Sequence, residues 1–90
     1  MEKITQTTGR DMLGEFSPMF AYLNDDVLFG EEWNEIAIDV KTKCIVTVVA
    51  LIASGITVTS LSYHLQNAKK HDVTKAEIAA IITHTAMYTG

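Results

Sequence analysis

Three observations on the sequence predict a small all-α domain spanning 1–90. The run CIVTVVALIA, within 40–54, lies between Asp39, a helix-capping residue type, and Gly55, placed where a helix ends. Val58, Leu61, Leu65 and Ala68 recur at the three- and four-residue spacing of a helix face. Thr74-Lys75-Ala76-Glu77 is a capping box, which opens a further helix. Together they predict a domain that ends in an antiparallel helix hairpin.

The elements follow in order. A helix over about Thr5 to Glu15 is weakened by Gly9 and Gly14. Pro18, after Ser17, suits the first turn of a helix reaching about Leu23. Asn24 to Ile38, NDDVLFGEEWNEIAI, reads as an irregular acidic segment with Phe29 and Trp33 as core anchors. The next helix, Val40 to Ser54, is apolar all round, so its own domain and a neighbour must cover it. Thr57 is placed to cap the helix after that, and Lys69, Lys70 and His71 fall in its last turn, where cations suit the dipole. The last helix, 75–88, turns Ile78, Ile81, Ile82 and Thr85 inward.

Composition narrows the function classes. Of the 90 residues 48% are hydrophobic and only 20% charged, more apolar than a monomer of this size needs, which predicts a homo-oligomer. The net charge of −4 with scattered basic residues argues against nucleic acid and anionic membranes as partners. Cys44 is the single cysteine, so no intrachain disulfide forms, and no cationic apolar leader begins the chain. A cytoplasmic protein is expected. Cys44–Ala68 lacks Asp, Glu, Lys and Arg, but only its first half is strongly apolar, short of the roughly 20 residues of a membrane span.

His64 and His84 are the candidate catalytic pair. They lie nine residues before and eleven after Val73, so a hairpin brings them to similar height, beside two apolar stripes. The alternative is that each is a boundary histidine with one hydrogen bond. Two histidines without a nearby carboxylate make a poor ligand set, so no metal is expected. His71, beside Asp72 at a helix end, reads as solvated. Cys44, near Lys41 and Lys43, has neighbours that favour a thiolate, yet it opens an apolar run and reads as buried and inert. Lys41 and Lys43 oppose the dipole at a helix N-terminus; they either build an anion subsite or extend into water. Glu31, Glu32 and Glu35 read as a solvated acidic face, with Glu31 and Glu32 beside Trp33 as candidate cleft residues.

DVLFGEEW, DVKTKCIVTVVALIASG and YHLQNAKKHDVTKAEIAAIITHTAMYTG, in this order and spacing, resemble the carboxymuconolactone decarboxylase family over about Gly14 to Gly90. The resemblance implies an all-helical, alkylhydroperoxidase-like fold assembled as trimers or hexamers. One branch of the family decarboxylates a lactone dicarboxylate without a cofactor; a sister branch runs a thiol relay on a CxxC with a Glu and a His. His64 matches the histidine common to both branches. The relay cysteine positions hold Thr57 and Ser60, and the relay Glu falls at Cys44 or Ile45, so the resemblance implies no thiol relay. Lys41-Thr42-Lys43, the cysteine-free His64 helix and Thr83-His84 match the decarboxylase branch.

The implied function is a cofactor-free lyase acting on a small carboxylated lactone or related acid. His64 is then the general acid/base and His84 assists. Lys41 or Lys43 holds a carboxylate, with Glu31 and Trp33 at the substrate cleft. The rival readings are a non-catalytic oligomeric family member and a residual oxidoreductase using Cys44 alone. Relatives continue past the position of Gly90 through a Trp-Pro segment into another helix.

Overall fold

The computed structural model describes residues 3–89, and every regular element among them is helical. The chain groups into two compact units, Met1–Ile38 and Asp39–Gly90.

In the first unit α1 spans Thr8–Leu13 and α2 spans Pro18–Tyr22. Segment 24–38, expected to be irregular, is helical in its first part. Tyr22 and Leu23 keep right-handed helical angles, so α2 passes without a break into a π-helical turn, Leu23–Phe29. A short 3₁₀ turn, Glu32–Asn34, follows. The π-helical turn carries Asp25, only 2% exposed, where its carboxylate accepts from the Gly9 and Arg10 amides, each at 2.9 Å. A side chain distant in sequence thus caps α1, which starts at Thr8 rather than near Thr5. Gly9 does more than weaken a helix: a Cβ there would lie 2.7 Å from Asp25 Oδ1. Asn34 closes the unit, accepting from the Ile4 amide and donating to the Ile4 carbonyl, both at 2.8 Å. Trp33 is buried and stacks on Phe29 at 6.0 Å between ring centres, so both expected anchors are in the core.

The second unit holds α3 (Val40–Ala53), α4 (Thr59–Lys70) and α5 (Lys75–Thr89). Asp39 caps α3 as expected, accepting from the Thr42 amide at 2.8 Å. At the other end Gly55 is left-handed, at φ 75°. The Ile56 amide returns to the Leu51 carbonyl at 2.9 Å and Gly55 to Ile52 at 3.0 Å, which closes a Schellman motif. Thr57 is not the cap of α4. Val58 occupies that position with no side-chain bond, because the turn after Gly55 delays the helix to Thr59. Val58 is consequently 72% exposed and leaves the expected apolar stripe.

A second Schellman closure ends α4. The Val73 amide donates to Ala68 at 3.0 Å, with Asp72 in the left-handed position at φ 70°. The capping box then forms in both directions: Thr74 N to Glu77 Oε1 at 2.8 Å, and Glu77 N to Thr74 Oγ1 at 3.1 Å. Thr74→Ala is expected to cost about 1 kcal/mol, read as a lower thermal midpoint at matched protein concentration.

α4 and α5 each pack on α3, so the hairpin closes around the central helix. Cys44, Val48 and Ala68 are the fully buried centre of this unit. Among the described residues no helix is long and apolar enough to cross a membrane.

Candidate functional site

His64 lies on the inward face of α4, in register with Leu61, Leu65 and Ala68, and is half-buried. Its ring meets Tyr63 edge-on, 4.9 Å between centres. Burial lowers its proton affinity below that of an ordinary imidazole. A depressed pKa means that the unfolded chain takes up the proton first. The stability this gives is therefore present above about pH 6.5 and lost as pH falls toward the folded pKa. Denaturant unfolding at about pH 7.5 and about pH 5.5 should show the loss in the wild type and a smaller one in His64→Gln.

His84 is exposed on α5, tilted against Tyr88 with ring centres 5.1 Å apart. It lines a groove of about 670 Å³ between α3 and α5, together with Ile45, Val49, Ile81 and Thr85. The groove's two threonine hydroxyls are turned into α5 itself: Thr85 donates to the Ile81 carbonyl at 2.7 Å and Thr89 to the Thr85 carbonyl at 3.1 Å. His64 is not among the lining residues. Matching heights along a hairpin leave rotation about each helix open. Here α4 and α5 meet α3 separately, and His84 faces the α5 side of it.

The two lysines of the Lys41-Thr42-Lys43 segment differ in environment. Lys41 Nζ pairs with Glu77 at 3.3 Å, joining the start of α3 to the capping box of α5. Lys43 is buried and does not extend into water. The α3 N-terminus, the expected anion subsite, already holds the Asp39 carboxylate, and Lys41 already holds that of Glu77. In the first unit Glu31 is exposed, while Trp33 is enclosed and stacked on Phe29.

One cluster is absent from the sequence reading. His71 is half-buried and not solvated; its Nδ1 lies 2.9 Å from the Asn67 carbonyl and 3.9 Å from Cys44 Sγ. Asn67 Nδ2 also approaches the sulfur, at 3.7 Å. A carbonyl can only accept, so this bonding assigns the Nδ1 proton to His71, and that nitrogen cannot take the thiol proton. Burial raises the Cys44 pKa, the opposite of a thiolate. The signal for His71 was present: it continues the stripe Leu61, Leu65, Ala68 by three residues. Among the described residues no group of three or more His, Cys, Asp or Glu side chains gathers in a metal-binding arrangement.

The model of the carboxymuconolactone decarboxylase family matches residues 18–90, most of the chain. No curated protein and no solved structure matches it.

Proposed function

Because the chain belongs to the carboxymuconolactone decarboxylase family, we propose that it is a cofactor-free lyase acting on a small carboxylated lactone or related acid. The observation that supports this best is His64, half-buried on α4 with its proton affinity lowered by burial. A histidine so placed takes up and releases its proton on the acid side of the ordinary imidazole range. In the reaction the bond to the substrate carboxylate breaks and CO2 leaves. The electron pair passes into the conjugated lactone, His64 protonates the resulting anion, and solvent returns the proton to His64. His84 lines a different groove, between α3 and α5, and is not needed for this step. The wild-type chain should release CO2 from a carboxylated lactone faster than buffer alone does; equal rates would overturn the reading.

A non-catalytic family member is the second reading. It is favoured by the Lys41–Glu77 pair, which commits a proposed substrate-binding cation to the fold. A residual oxidoreductase is opposed by the buried, proton-retaining Cys44.

Self-association as a trimer or hexamer is also part of the proposal. Val46 on α3 is 55% exposed, and Met87 and Tyr88 on α5 are 74% and 80% exposed, an apolar surface that copies of the chain would cover. Sedimentation at micromolar concentration tests it, and a stable monomer would overturn it.

A further inference from the structure

The lysines of the second unit divide into two groups. Lys41 is paired with Glu77 and Lys43 is buried. Lys69, Lys70 and Lys75 are exposed and, among the described residues, join no ion pair. Two of these, Lys69 and Lys75, line a groove of about 680 Å³ at the corner between α4 and α5. Its floor is apolar: Val73 is buried, and Leu65 and Ile78 are half-buried, with side-chain surface left for a ligand to cover. Asp72 lines the groove as well and joins no ion pair, so two lysines and one aspartate give it a net charge of +1.

Both walls are fixed in advance. The Val73 amide returns to the Ala68 carbonyl at 3.0 Å with Asp72 left-handed, and the capping box holds the first turn of α5. Thr74 also lines the groove, but its amide and hydroxyl are engaged in that box. A preformed groove loses little freedom when a ligand enters. Its volume falls within the range of about 300–1,000 Å³ of small-molecule sites.

We propose that this corner binds a small amphipathic monoanion, a monocarboxylic acid with a hydrocarbon tail. The tail covers Leu65, Val73 and Ile78, and the carboxylate lies between Lys69 and Lys75, whose flexible stems let both ammonium groups reach it. A bare inorganic anion would leave the apolar floor in water, and a dianion would set its second charge against Asp72. His64 does not line this groove, so the site is separate from the proposed lyase chemistry and stands or falls without it.

Octanoate is the probe, titrated into the methyl-labelled full chain and followed by NMR. The Leu65, Val73 and Ile78 methyls should shift saturably, with a Kd on the order of 1 mM. Octanol has the tail without the charge and acetate the charge without the tail; each should bind at least about 10-fold more weakly. These comparisons need no variant. Lys69→Gln combined with Lys75→Gln should weaken octanoate at least about 10-fold and leave octanol unchanged, a contrast that loss of folding would not produce. Absence of shifts at the corner, acetate binding as tightly as octanoate, or undiminished octanoate binding by the double variant would overturn the proposal. So would corner shifts that grow with protein concentration and do not respond to octanoate, which would put a second copy of the chain there instead.

Discussion

His64→Ala is expected to lower turnover of a carboxylated lactone by about 10²- to 10⁴-fold, the usual contribution of a positioned acid/base. Helicity and sedimentation should stay as in the wild type, because the half-buried ring lies beside the fully buried centre formed by Cys44, Val48 and Ala68. The pH profile separates proton transfer from mere packing. As the proton donor, His64 must be charged, so kcat/KM should fall as pH rises through its pKa, on the acid side of the ordinary imidazole value. His84→Ala should retain this limb and lose less, since His84 is exposed at the rim of its groove. A His64→Ala protein of lower stability but unchanged turnover would assign the residue to packing alone.

Asp25→Ala is expected to have the largest effect on stability, melting the first unit at a midpoint lower by more than about 5 °C. The substitution strips the Gly9 and Arg10 amides and Asn24 Nδ2 of their acceptor, while the Arg10 guanidinium keeps its pair with Asp26. Buried donors without partners are costly. Burial on its own would raise the Asp25 pKa. The Asn24 side chain, the Arg10 and Gly9 amides and the Arg10 charge outweigh burial and hold it below the usual carboxylate value. Its contribution is therefore complete above that value and fades as pH falls through the folded pKa. The gap between wild type and variant should close below about pH 4. Hydrogen exchange at the Gly9 and Arg10 amides should quicken in the variant, and unchanged rates would refute the capping role.

Features that depend on neighbouring residues were legible in the sequence. The Asp39 cap, the Thr74–Glu77 box and the left-handed Gly55 all formed, because each is decided within four or five residues of chain. The capping of α1 was not legible. Asp25 reaches Gly9 across sixteen residues, and only the π-helical turn gives it that direction. Thr57 failed as a cap because the turn after Gly55 displaced the helix start to Thr59. At the candidate site the inward face of α4 was readable for His64 but not followed to His71. That Lys41 meets Glu77, and Cys44 meets Asn67 and His71, depends on the packing of α3 against two helices, which no spacing within one helix reveals.

The central place of α3 also constrains the order in which the second unit can fold. α4 and α5 find their main partner in α3 rather than in each other, so a pair of them formed early would gain little. Docking α4 on α3 spans short chain separations and closes rapidly. α5 docks on α3 across longer chain separations, guided at its first turn by Lys41 and Glu77. Conservative substitutions at Val48 and Ala68 should then slow folding in proportion to the stability they remove. Those at Ile81 and Thr85 should chiefly speed unfolding, which places α5 on the late side of the folding barrier.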